Sequence, residues 1–84
     1  MIFKYYLNAH TPTQFHAQRP YKVLDIQCLY DVVVCWIDCG TDSETAHLQF
    51  TPLSTGNSPQ PQQQYVKTLA SGEITHWFVE EIPE

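Results

Sequence analysis

Three cysteines, four histidines and three of the four aspartates, Asp25, Asp31 and Asp38, are the residues of this 84-residue chain with the most obvious chemical potential. Cys28, Cys35 and Cys39 with the histidines could be imagined as zinc ligands, but their spacing opposes it. In an extended chain Cys35 and Cys39 lie about 13 Å apart, at about 3.3 Å per residue, whereas tetrahedral zinc needs ligands that converge. No Cys-x-x-Cys pair occurs. Cys28 and Cys35 are therefore expected to act as small buried hydrophobes, and no metal site is expected. His10 and His16 straddle a turn and could meet His47 or His76 in space, although scattered histidines are mostly surface or half-buried residues. Nucleophilic catalysis needs a serine or cysteine beside a base. Here the serines fall in expected loops, and no Gly-x-Ser-x-Gly elbow is present. The aspartates fall on strand exteriors and turns, so the chain is expected to be no enzyme and to carry no cofactor.

A different kind of chemistry is offered by Ser54-Thr55-Gly56-Asn57. A glycine among hydroxyl residues can present backbone N–H groups and side-chain donors to an anion such as a phosphate, although the same tetrapeptide is also a common turn. Arg19 and Lys67 are the cations that would join it at a subunit interface. In His76-Trp77 one residue should face the core and the other the solvent or a partner; Trp77 is counted with the loop as a candidate contact.

The elements that must position these residues are organised around Val32 to Cys39, Val-Val-Val-Cys-Trp-Ile-Asp-Cys, which is apolar on both alternating faces. That pattern describes a central strand, with Trp36 in the core. Lys22 to Cys28 alternates Leu24, Ile26 and Cys28 against Val23, Asp25 and Gln27. Only Leu29-Tyr30-Asp31 separates it from the central strand, so the two should form an antiparallel hairpin. Ile2 to Leu7 alternates as well, Gln14 to Gln18 reads as a short edge strand around Phe15, and Ala46 to Thr51 buries Ala46, Leu48 and Phe50 before stopping at Pro52. Leu53 to Gln64 is rich in proline and glutamine and reads as a long loop. For residues 58–70 two readings stand: a helix starting at Ser58-Pro59, or loop plus strand. In the second, Tyr65 to Ala70 and Glu73 to Glu80 form a hairpin joined by Ser71-Gly72. Residues 80–84 read as a frayed acidic tail. The expectation is a single all-β domain over 1–84, an antiparallel barrel or sandwich of five to six strands and about the size of an SH3 domain.

Composition narrows the partners. With 43% hydrophobic and only 15% charged residues, the surface must be covered largely by uncharged polar groups, which suits a partner surface and a homo-oligomer. The net charge of -5 leaves four scattered cations, too few to neutralise a run of phosphates, so direct duplex binding is not expected. No stretch approaches the roughly 18 to 20 apolar residues that span a bilayer, and the N-terminal residues do not read as a signal peptide. A cytoplasmic protein with free thiols and no membrane partner is expected.

The opening Ile2-Phe3-Lys4-Tyr5, the hairpin around Val23 to Asp38 with its Trp36, Ser54-Thr55-Gly56, and Tyr65-Val66-Lys67-Thr68 leading to His76-Trp77-Phe78-Val79-Glu80 together resemble a group of small uncharacterised bacteriophage proteins. That group has an Ile-Trp-Lys-Tyr start and a Gly-Thr-Gly loop; here Phe3 replaces the tryptophan and Ser54 the first glycine. The resemblance implies a phage or mobile-element origin and an accessory role in the cytoplasm of an infected bacterial host. Three functions fit: an inhibitor of a host or anti-phage defence protein, a sponge for a small or cyclic nucleotide signal, and a structural adaptor of the virion.

Overall fold

A computed structural model describes residues 1–70 and 72–84, and Ser71, part of the expected 71–72 turn, lies outside the described residues. Seven strands form: β1 (Ile2–Leu7), β2 (Thr13–Gln18), β3 (Tyr21–Leu29), β4 (Val32–Cys39), β5 (Thr45–Ser54), β6 (Gln64–Leu69) and β7 (Thr75–Glu81). They build a three-stranded sheet in the order β1-β4-β3 and a four-stranded sheet in the order β2-β5-β7-β6. All pairings are antiparallel. No helix occurs among the described residues, and none is long and apolar enough to cross a membrane.

The architecture is two sheets rather than a closed barrel, with seven strands rather than five to six. At one margin β1 meets β2 through Tyr5 and Phe15, whose rings stack 4.1 Å apart. At the other margin β3 meets β6 through an ion pair of Lys67 Nζ and Asp25 Oδ1 at 2.8 Å. Side chains and not ladder hydrogen bonds span both seams, so each sheet keeps its own edges.

The core lies between the sheets. Leu7, Ile26, Val33, Cys35, Ile37 and Cys39 from the first face Ala17, Ala46, Leu48, Phe50 and Trp77 from the second. β4 is the central strand of its sheet, but only its odd-numbered side reaches this core. Trp36 projects from the opposite face and is only partly buried, which corrects its expected place in the core. Because Val32 to Ile37 is apolar on both sides, alternation by itself does not identify the inner one.

Local departures from period 2 have identifiable causes. A bulge between Val23 and Asp25 adds one residue to β3, so Val23 and Ile26 both turn inward and Leu24 is pushed out. The expected β3–β4 hairpin forms through Tyr30 and Asp31, with φ of 51° and 67°. Two successive left-handed residues match the twist of the flanking strands. Pro52 does not end β5, which continues to Ser54. β2 pairs only as far as Phe50, so beyond it β5 has β7 as its sole neighbour and the missing proline N–H breaks no second ladder.

Residues 58–70 resolve as loop plus strand, and the unpaired stretch is shorter than the expected 53–64 loop because Leu53 and Ser54 belong to β5 and Gln64 to β6. The tail is also less frayed than its composition suggests. Glu80 and Glu81 pair with Gln49 and Leu48, and Ile82 N–H donates to His47 O at 2.9 Å.

Candidate functional site

The outer face of the β1-β4-β3 sheet brings apolar side chains together away from the core. Register sets Ile2 and Lys22 either side of Asp38, Lys4 beside Trp36, Tyr6 and Gln27 either side of Val34, and Val32 beside Leu29. Ile2, Tyr6, Val32 and Leu29 are exposed, together with the bulged Leu24. A sheet face covered on one side normally alternates to polar residues on the other; here the outer face carries aliphatic and aromatic groups among its polar ones.

Its charged side chains are Lys4 and Lys22 together with two acids that are already paired, Asp38 with the Met1 ammonium at 3.1 Å and Asp25 with Lys67 at 2.8 Å. Lys4 Nζ lies 5.2 Å from the centre of the Tyr6 ring and 5.9 Å from that of Trp36, with its alkyl stem covering apolar surface. Trp36 Nε1 donates to Gln27 Oε1 at 3.2 Å, which fixes the indole against β3. Among the described residues, Lys4 and Lys22 make no ion pair, while Arg19 is paired with Glu81 and Lys67 with Asp25. The face is thus an apolar patch rimmed by two unpaired ammonium groups.

The residues singled out for anion binding do not converge. Ser54 to Asn57 forms a turn closed by Asn57 N–H to Ser54 O at 3.1 Å, with Gly56 at a φ of 103°. Lys67 reaches away from it to Asp25, whose carboxyl is held below its usual range chiefly by that hydrogen bond. Arg19 lies at the far side of the sheet against Glu81, whose carboxyl is lowered by the guanidinium and then by the Tyr21 hydroxyl. Trp77 is fully buried and cannot touch a partner, so that assignment is corrected; its neighbour His76 is the outward member of the pair.

What the loop does meet is His76. Thr55 Oγ1 lies 2.8 Å from Nε2 and Thr68 Oγ1 2.9 Å from Nδ1, and the Tyr65 hydroxyl extends the chain to Thr68 at 2.9 Å. This polar chain crosses β6, β7 and the end of β5, and sequence spacing carries no signal for it because the pairings β5–β7 and β6–β7 decide it.

A shallow cavity of about 300 Å³ opens at the end of the sandwich, where His10, Cys28, Asp31 and Glu73 share a wall. No hydrogen bond joins Cys28 to His10 or Asp31 among the described residues, so no nucleophile is held against a base there. The other thiols are in the core, and burial pushes Cys35 up to about 12. Comparison with known proteins finds no matching family model, no matching curated protein and no matching solved structure.

Proposed function

We propose that the protein acts by binding and not by catalysis, covering a surface of a host or anti-phage defence protein with the outer face of its β1-β4-β3 sheet. The observation that carries this reading is the set of exposed apolar side chains Ile2, Tyr6, Val32 and Leu29 on the same face as Trp36, with the bulged Leu24 at its β3 edge and Lys4 and Lys22 among them. Aromatic anchors in an apolar patch with a polar rim have the composition of a protein interface. The two ammonium groups favour a target whose apolar surface is bordered by carboxylates. The nucleotide-sponge reading has less support, because Arg19 and Lys67 are engaged in ion pairs with Glu81 and Asp25 and not with the Ser54 to Asn57 turn.

The test is affinity capture from lysate of a bacterial host that carries defence systems, with the wild-type protein and a Tyr6→Asp/Val32→Asp variant run in parallel. Both side chains are exposed, so the variant should melt within a few degrees of the wild type. Loss of the captured protein in the variant is the expected result. Equal capture by a folded variant would reject this face as the binding surface. Solution mass measured on the same samples shows whether copies of the chain also associate through it.

A further inference from the structure

A second constellation lies on the opposite side of the molecule, on the outer face of the β2-β5-β7-β6 sheet. His16 on β2 and His47 on β5 are direct cross-strand partners, and their rings stack with centroids 4.3 Å apart and planes 14° from parallel. Beyond Glu81 the chain stays attached to β5 through the hydrogen bond from Ile82 N–H to His47 O at 2.9 Å. This anchor brings Glu84 over the imidazole pair, with Glu84 Oε1 2.9 Å from His16 Nε2. One ligand-type atom from each of the three residues lies within 4.8 Å of those of the other two.

We propose that His16, His47 and Glu84 form a binding site for a divalent transition-metal ion, zinc foremost. Ligand atoms at about 2.0 to 2.1 Å from a tetrahedral zinc stand about 3.3 Å from one another, so side-chain rotations are enough to close the observed cluster around an ion. Two imidazoles and one carboxylate are ligands that zinc accepts, and no thiolate is present to select a softer metal. The His47 Nδ1 atom is buried and has no hydrogen-bond partner, so the cluster already contains a polar group with an unmet bonding capacity. Three protein ligands leave the fourth position for water or for a side chain of a partner. The bound ion would tie edge strand β2 to the segment after β7, two elements that have no backbone pairing with each other.

The experiment is a calorimetric titration of the untagged protein with zinc chloride in a buffer that does not chelate, accompanied by the visible spectrum with cobalt(II) as a geometric reporter. Expected are one ion per chain, tetrahedral cobalt absorption, and a weakening of about tenfold or more in each of His16→Gln, His47→Gln and Glu84→Gln. His10→Gln, at the end cavity, serves as the control and should bind as the wild type does. Glu84 lies outside every strand, so Glu84→Gln keeps the test valid even if a histidine variant is poorly folded. Absence of one-to-one binding, or unchanged affinity in Glu84→Gln and in a folded His16→Gln, would overturn the site.

Discussion

The two tryptophans allow a direct test of which side of β4 is the core. Trp77 is fully buried, and its indole N–H donates to Thr75 Oγ1 at 3.2 Å. Truncating it to alanine removes a large buried side chain and leaves an enclosed void, at a cost of about 3 to 5 kcal/mol. For a domain of this length 1 kcal/mol corresponds to roughly 4 to 8 °C, so the melting temperature of Trp77→Ala should fall by about 12 to 40 °C. Trp36 is covered from the outside by Lys4 and Gln27, side chains that can relax into the space it vacates. Trp36→Ala should therefore lose a transfer term without an enclosed cavity, about 1.5 to 2 kcal/mol and roughly 10 °C. Thermal denaturation followed by circular dichroism measures both. Fluorescence of Trp36→Phe and Trp77→Phe provides the second readout, with a blue-shifted emission from the tryptophan left in Trp36→Phe. Equal destabilisation by the two alanine variants, or a larger effect at Trp36, would refute the assignment of the core to the Cys35 side. The same Trp36→Ala variant should lose partner capture while folded, which separates the binding face from the core.

In native protein a thiol reagent should modify Cys28 rapidly and leave Cys35 and Cys39 untouched until denaturant is added, because both are buried and the Cys35 thiol stays protonated to about 12; three fast-reacting thiols would contradict this. Gly40→Ala should destabilise by about 1 to 3 kcal/mol in a denaturant titration, since an added Cβ would stand 2.4 Å from Arg19 O and 2.4 Å from Pro20 Cδ, so backbone must move. Tyr5 and Tyr21 are raised to about 12, both chiefly by burial and then by hydrogen bonds to Cys39 and Glu81 respectively. Their folded values exceed the unfolded ones, so their contribution is complete below about pH 10 and disappears as pH rises towards 12; absorbance at alkaline pH should show two late-ionising tyrosines in native protein and none in denaturant. At the acid end the depressed Glu81 and Asp25 contribute above their ordinary range, and that contribution is lost as pH falls through their folded values. Glu81→Gln should flatten the fall in melting temperature below about pH 4.5.

The strands themselves were legible because most of them alternate cleanly. Leu48 and Phe50 point inward as their spacing requires, and the β3–β4 hairpin follows from the short Leu29-Tyr30-Asp31 connection, which the structure tightens to Tyr30-Asp31 because Leu29 joins β3. What alternation does not encode is a bulge, which is why Leu24 exchanges faces with Val23, and which side of a doubly apolar strand is covered, which is why Trp36 was expected inside. Pairing between distant strands is equally silent. His16 meets His47, and Thr55 meets His76, through ladders that no local pattern announces. The acidic residues after Val79 read as a solvated end because charge is visible in a sequence, whereas the β5 ladder that receives Glu80 and Glu81 is not.

β7 lies between β5 and β6, and that placement bears on how the chain reaches its native state. Gln49 waits for Glu80 and Tyr65 for Phe78, so although β2 and β5 can pair earlier, the two ladders that join β5 to β6 cannot form until the last strand inserts. Trp77 arrives on that same strand, and the interior is sealed at the same moment. Closing the β5–β7 pair, with Gln49 and Glu80 far apart in sequence, costs loop entropy before any contact repays it, which places refolding in the millisecond-to-second range typical of sandwiches. Until that event β5 and β6 present unpaired edges, and dilute protein should refold in higher yield than concentrated protein.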